Sequence, residues 1–98
     1  MIKVTPINKK YRNGLVVEGH AGYAEHGEDI VCSAISVLTH MLMTQLPQYA
    51  HVKTTVNSGY TMIAFQTYND QSEVLLKAFL ETVEDLESQY PTYIKMEA

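Results

Sequence analysis

One cysteine, four histidines and eleven carboxylates are the side chains of this 98-residue chain that could do chemistry. Cys32 stands three positions after Asp29, and a helical apolar pattern begins between them. If Asp29 is the N-cap, Cys32 is the third helical residue, where backbone amides and the helix dipole stabilise a thiolate. The same amides could hold an oxyanion. The spacing indicates a nucleophile, and a small buried cysteine is the alternative.

A histidine stands at the far end of the loop that precedes this helix. His20 follows the second predicted strand, and residues 19–28 must return the chain to the helix, so His20 and Cys32 can be neighbours. An imidazole there would take the proton of the thiol. Asp29 would either cap the helix or orient His20 as the third member of a triad, and both roles stay open. The other histidines are expected to be solvated or packing residues (His26, His40 and His51).

Substrate contacts are expected from the helix and from the loop. Ser36 is one turn after Cys32 on the same helix face, although its hydroxyl could instead bond back to a helix carbonyl. The glycine-rich loop permits close approach by a peptide backbone. We therefore assign Ser36, Gly19, Ala21 and Gly22 to substrate binding. A zinc site made of histidine, cysteine and aspartate side chains lacks a recognisable spacing, so no metal and no cofactor are expected.

The elements that must position these residues follow from hydrophobic periodicity. Two short strands precede the loop, and their hairpin closes either at the turn dipeptide Asn13-Gly14 or over the whole polar stretch from Asn8 to Asn13. Pro6 suggests a sheet edge or a strand end. Asp70, with Glu73 as its capping-box partner, is the predicted N-cap of a second helix. The predicted strands are residues 2–6, 15–18, 52–56, 60–68 and 92–96, and the predicted helices are residues 30–46 and 71–89.

This order, ββαββαβ, predicts an α+β fold of two layers, with two helices packed on a sheet of about five strands. The length predicts a single domain over residues 1–98, whose small core makes a dimer plausible. The net charge of −4 argues against direct contact with nucleic acid and suits a basic partner. A lone cysteine suggests a reducing, cytoplasmic location. We find no apolar run of membrane-spanning length, so no membrane is expected.

The segment from Gly19 to Ser36 resembles the signature of a known family. It reads Gly-His-Ala-Gly-Tyr-Ala, then Gly27, then Asp-Ile-Val-Cys-Ser-Ala-Ile-Ser. This is similar to the G-H-A loop and D-I-V-C helix start of the ribosomal-processing cysteine protease (Prp) family, and the length and element order are similar too. The resemblance implies a cytoplasmic, typically homodimeric endopeptidase. Its implied substrate is a large-subunit ribosomal protein, from which it removes an N-terminal extension.

The resemblance also implies roles for individual residues. Cys32 matches the family nucleophile and His20 matches the general base. Asp29 and Ser36 match further positions of the motif, and the role of the aspartate is less settled. The alternative function is a non-catalytic interaction module that binds a ribosome-assembly partner, in which Cys32 is structural and reacts slowly with iodoacetamide.

Overall fold

The computed structural model describes residues 1–10, 12–20, 29–66 and 69–97, which form five strands and two helices. Its element order is the predicted ββαββαβ, and the two-layer α+β architecture is confirmed. A short 3₁₀ helix, Leu46–Gln48, follows the first helix. The elements are β1 (Ile2–Lys9), β2 (Arg12–Gly19), α1 (Ile30–Gln45), β3 (Val52–Asn57), β4 (Tyr60–Phe65), α2 (Asp70–Gln89) and β5 (Ile94–Met96).

The strands form one sheet in the order β3-β4-β2-β1-β5. All neighbours are antiparallel except β1 and β5, which run parallel. Both helices pack on one face, because alternate strand residues on that face are apolar and buried. Burying each large aliphatic side chain stabilises the fold by about 1.5–3 kcal/mol. The core consists of Ile2, Val4, Leu15, Val31, Ile35, Leu42, Leu46, Ile63, Phe65, Leu76, Phe79, Val83 and Ile94.

The first hairpin closes between Lys9 and Arg12, the last residues of its strands to pair. Of the two closures that the sequence left open, the one at Asn13-Gly14 is therefore wrong, and this dipeptide lies inside β2. Gly14 lies close to β4: a Cβ built there would be 1.9 Å from the carbonyl oxygen of Ile63. The glycine thus serves the close approach of two strands and not a turn.

Several strand ends differ from the predictions, and β2 already begins at Arg12, three residues before the predicted start. Pro6 lies inside β1 and not at its end, in the part beyond the short pairing with β5, where the sheet has an edge. A missing amide donor is tolerated at an edge, so the edge interpretation was correct. β4 ends at Phe65, and residues 67–68 of the longer predicted strand lie outside the described residues. β5 begins at Ile94, two residues later than predicted.

The prediction that Asp70 caps α2 is wrong, because the cap is Asn69. The Asn69 side chain accepts a hydrogen bond from the amide of Ser72 at 2.9 Å, and the Ser72 hydroxyl accepts one from the Asn69 amide at 3.0 Å. This reciprocal capping box begins one residue before the predicted one. Asp70 and Glu73 instead lie in the first turn, where their negative charge interacts favourably with the helix dipole.

The segment Ile30–Gln48 has a mean hydropathy of 1.4 and is long enough to match a membrane span, which the sequence reading overlooked. In this fold it is the core helix and its 3₁₀ extension. Val31, Ile35, Leu42 and Leu46 are buried in the core that the sheet and α2 complete. These buried residues form one stripe at helical spacing, as in a core-facing helix, while Ile30 and Val37 on its other sides are exposed.

Candidate active site

A glycine ends β2 and determines where the following histidine lies. Gly19 has a φ of +94°, and a Cβ built on it would be 2.2 Å from the carbonyl oxygen of Met1. Its amide donates a hydrogen bond to the carbonyl of Gly59 at 2.8 Å. Both the positive φ and the close approach to β1 require glycine at this position. His20 therefore leaves the sheet between the start of β1 and the β3–β4 turn.

His20 is exposed, and its ring lies against the β3–β4 turn. A Cβ on Gly59 would be 3.0 Å from Nε2 of His20, so the missing side chain at Gly59 makes room for the imidazole. The carbonyl of His20 accepts a hydrogen bond from the amino group of Met1. The sequence reading missed Gly59 as a site residue. A turn glycine has the same sequence signature whether or not a ring packs against it.

Asp29 caps α1, as the sequence predicted. Its Oδ1 accepts a hydrogen bond from the amide of Cys32 at 2.9 Å, and its carbonyl accepts both the amide and the hydroxyl of Ser33 at 3.0 Å. The Asp29 residue is only 7% exposed. Cys32 is therefore the third residue of α1. Its amide is engaged by the cap, so of the helix-start amides expected to hold an oxyanion this one already has an acceptor.

Cys32 is a free, half-buried thiol that faces two environments. It packs against the buried core of the domain, and it also lines a pocket on the surface. The core contact agrees with the interpretation as a small packed residue, and the pocket side leaves the interpretation as a nucleophile a prediction. The first turn of α1 contains no acidic side chain, and the carboxylate that interacts with the positive end of its dipole is that of the N-cap, Asp29.

The pocket has a volume of about 300 Å³ and lies between α1, the end of β2 and the β3–β4 turn. It brings His20 and Cys32 together, as expected from the loop that connects them. Its described lining contains no carboxylate, lysine or arginine, so its ionisable side chains are the two imidazoles, the thiol and the Tyr60 hydroxyl. The lining residues are Ile2, Val17, Gly19, His20, Cys32, Ile35, Ser36, Thr39, His40, Met43, Asn57, Gly59, Tyr60 and Thr61.

One face of α1 forms a wall of this pocket. Ser36 is exposed there one turn after Cys32, and its hydroxyl bonds to no described atom. The alternative of a bond back to the helix is therefore not observed, whereas the Thr39 hydroxyl does donate to the Ile35 carbonyl at 2.7 Å. His40 also lines the pocket, two turns from Cys32. The sequence reading treated it as an ordinary surface or packing histidine, although positions four and eight apart share a helix face.

Other predicted residues lie elsewhere. Asp29 does not line the pocket, so a role in orienting His20 stays a prediction. His51 is exposed and lies in a separate depression beside Arg12 and Lys53. Ala21, Gly22 and His26 fall outside the described residues. Within the described part of the chain, no group of three or more histidine, cysteine or carboxylate side chains is arranged to hold a metal ion.

Comparisons of structure give the same fold in known proteins. The Prp protease of Staphylococcus aureus, solved with a covalently linked product peptide, has a TM-score of 0.89 at 23% identity and covers 99% of this chain and 98% of its own. A second S. aureus Prp structure, with a substrate peptide, has a TM-score of 0.77 at 20% identity. The protein SMU.848 from Streptococcus mutans has a TM-score of 0.75 at 27% identity and covers 99% and 92% of the two chains.

Comparisons of sequence extend this from fold to family. The ribosomal processing cysteine protease Prp of S. aureus is 24% identical over 87 residues, which are 84% of this chain and 82% of the relative. The family described as cysteine protease Prp matches residues 1–95. This match decides for an enzyme over the non-catalytic interaction module. The chain therefore belongs to the Prp family of cysteine proteases.

Proposed function

We propose that Cys32 is the nucleophile and His20 the general base of an endopeptidase that removes the N-terminal extension of a large-subunit ribosomal protein. The observation that carries this proposal is the shared pocket. A thiol at the third position of α1 and an exposed imidazole at the end of β2 line the same space of about 300 Å³. These two groups are the pair that acyl transfer through a thiol requires.

The reaction follows from these positions. His20 removes the proton of the Cys32 thiol, and the sulfur attacks the carbonyl carbon of the scissile peptide bond. The tetrahedral intermediate collapses to a thioester as His20 returns the proton to the leaving amine. The same imidazole then takes a proton from water, whose oxygen attacks the thioester and releases the second product. The exposure of His20 suits this last step, because water must reach the ring.

Ser36 is the described side chain best placed to contact the substrate directly. Its hydroxyl is exposed on the pocket wall and has no described intrahelical acceptor, so it can donate to a peptide carbonyl. The amide of Cys32 cannot take this part while Asp29 holds it. Gly19 contributes backbone at the pocket rim, and Ala21 and Gly22 are assigned to the same role.

The shape of the pocket supports an extended peptide as the substrate. On α1 the lining runs from Cys32 to Met43, a span of eleven steps, or about 16 Å at the rise of an α-helix. That length accommodates about five residues of extended chain. Val17, Ile35 and Met43 make part of the lining apolar, in keeping with a substrate segment of hydrophobic residues. A net charge of −4 would attract a basic ribosomal protein over long range.

We also propose that the enzyme acts in the cytoplasm and as a homodimer. The lone free cysteine supports a reducing compartment. The small core supports an association that would bury further apolar surface. Equilibrium sedimentation of the purified protein should give twice the 11.1 kDa chain mass, and a monomer at micromolar concentration would remove this part of the proposal.

Cleavage of a peptide that spans the extension junction tests the function. Wild-type protein should cut it at one bond, and Cys32→Ala and His20→Ala should not. His51→Ala is the matched control, because His51 is also exposed but lies outside the pocket. Mass spectrometry of the quenched wild-type reaction should detect a thioester on Cys32. Undiminished cleavage by Cys32→Ala or by His20→Ala would exclude the assigned pair.

A further inference from the structure

The charges of this chain are segregated onto two layers. α2 carries six carboxylates and one lysine. The strand register places Lys3, Lys9, Arg12, Lys53 and Lys95 on the sheet face opposite the helices. Glu18 is the one carboxylate that the strands place on that face. The net charge of −4 is therefore an average over an acidic helix and a basic sheet.

We call the basic side of the sheet the open face; it is defined by Lys3, Thr5, Ile7, Lys9, Arg12, Val16, Glu18, Lys53, Thr55, Met62 and Lys95. The five cations are exposed, and none forms an ion pair with a described carboxylate, although Glu18 lies directly opposite Lys3 in the register. Arg12 instead donates a hydrogen bond to the thioether sulfur of Met62 at 3.1 Å, and sulfur is a weak acceptor. The guanidinium thus keeps donor capacity for a ligand.

The cations stand around a floor of uncharged side chains. Lys3 and Lys95 are paired at one end of the sheet, and Lys9, Arg12 and Lys53 lie toward the other, about 20 Å away at the rise of a strand. Thr5, Val16, Met62 and Thr55 form a cross-strand row between them and are half-buried. Beside Arg12 and Lys53 a depression of about 610 Å³ also includes His51.

We propose that the open face binds single-stranded RNA through its phosphate backbone. Exposed lysines and an arginine without carboxylate partners are the groups that neutralise phosphates, and a flat sheet accommodates a single strand. Thr5 and Thr55 supply hydroxyls between the cations, where they can bond the 2′-hydroxyl that distinguishes RNA from DNA. The open face is separate from the proposed peptidase pocket, because neither Arg12 nor Lys53 lines that pocket.

Two other occupants fit the open face less well. A second copy docked symmetrically would place five cations against five cations, and docking onto the acidic α2 of another copy would be head-to-tail and open-ended. An acidic protein is disfavoured by composition. Lysine is depleted at protein–protein interfaces, which need aromatic or arginine anchors, whereas four of the five cations here are lysines.

The test is fluorescence anisotropy of a labelled 20-nucleotide RNA titrated with the full-length protein at 50–200 mM KCl. Engagement of four phosphates predicts that affinity falls about 50-fold over this range. Arg12→Gln and Lys53→Gln should each weaken binding about 5- to 10-fold at 50 mM salt and flatten the salt dependence. Lys77→Gln on α2 is the matched control and should bind like wild type. Retained cleavage of a short peptide shows that the variants are folded.

Each contrary outcome overturns the proposal. Absence of RNA binding at 50 mM salt removes it directly. Equal affinity for DNA of the same sequence removes the assignment to RNA, and equal affinity for polyglutamate indicates an acidic protein partner instead. Self-association that Arg12→Gln abolishes would indicate a second copy as the occupant. If Lys77→Gln weakens RNA binding as much as Lys53→Gln, attraction is a property of total charge and not of the open face.

Discussion

The two helices of this protein begin in the same way and do different things. In each, a polar N-cap side chain accepts the amide of the third helical residue at 2.9 Å, Asp29 with Cys32 in α1 and Asn69 with Ser72 in α2. Ser72 is fully buried. Its hydroxyl accepts a hydrogen bond from the amide of the cap residue and donates one to the carbonyl of the same residue. Cys32 is half-buried and lines the pocket that His20 shares.

The difference shows that a cap positions a residue without deciding its use. The first turn of α2 contains Asp70 and Glu73, which interact favourably with its dipole, and the first turn of α1 contains no acid. At α2 the favourable electrostatics of a helix start stabilise the fold. At α1 the acid is the N-cap itself, because the Asp29 carboxylate accepts the amide of Cys32, and the third helical residue lines the pocket.

Replacing the third helical residue tests this comparison most severely. Cys32→Ala should lower kcat/KM by about 10⁴-fold or more, because no other described group can form the acyl intermediate. Ser72→Ala should leave kcat/KM within about twofold per folded molecule. Peptide cleavage measures both. If Cys32→Ala retains more than a hundredth of wild-type activity, α1 does not begin with the nucleophile.

Removing the base should have the next largest effect. His20→Ala should lower kcat/KM by about 10²–10⁴-fold, the usual contribution of a general acid–base group. His51→Ala should cleave like wild type. Single-turnover measurements locate the loss in the acylation step. A His20→Ala enzyme with normal acylation would mean that the imidazole does not take the thiol proton.

Gly19 links the sheet to the pocket, so a side chain there should damage both. Gly19→Ala should lower the free energy of unfolding by about 1–3 kcal/mol, because its φ is +94° and the Cβ would meet the Met1 carbonyl. It should also lower kcat/KM by displacing His20. Urea unfolding gives the stability, and Ser58→Ala in the neighbouring turn should change it by less than about 0.5 kcal/mol. An unchanged midpoint would show that β2 and β1 can separate at no cost.

The caps themselves should have smaller effects, of similar size. Asn69→Ala and Asp29→Ala should each lower the free energy of unfolding by about 1 kcal/mol, because each leaves a helix amide without its acceptor. Asp29→Asn keeps a capping oxygen and so should keep stability. The peptidase activity of Asp29→Asn distinguishes the role of Asp29 as a helix cap from a role in orienting His20. Full activity indicates a cap alone, and a tenfold loss at unchanged stability indicates that Asp29 also orients His20.

The smallest expected effect concerns Ser36. Ser36→Ala should lower kcat/KM by about 2- to 10-fold, the cost of one hydrogen bond to the substrate. Ser88→Ala on the exposed side of α2 is the control and should be silent. A rise in KM at unchanged kcat would mean that the hydroxyl binds the ground state and the transition state alike. A fall in kcat would mean that it acts in the transition state. Wild-type values for both would place Ser36 outside the substrate path.

Local signals in the sequence predicted several of these features correctly. The order ββαββαβ, the Asp29 cap and the position of Cys32 all depend on residues within a few places of one another. Of the errors, one has a local cause and the other a long-range one. Asp70 and Asn69 are both good caps, and only the reciprocal bond with Ser72 distinguishes them. Asn13-Gly14 has turn chemistry, but pairing of Gly14 with β4 overrides it.

The residues and the family resemblance determined what this protein is: a two-layer α+β chain with a thiol at a helix start behind a histidine-bearing glycine loop. Only the tertiary structure decided that Gly59 makes room for His20, that His40 shares the pocket, and that a net acidic chain has a basic face. The physical reason is the sequence separation over which each interaction acts. Caps and periodicity act over one or two turns of chain, whereas pocket walls and charged faces are assembled by strand register and helix packing between residues far apart in sequence.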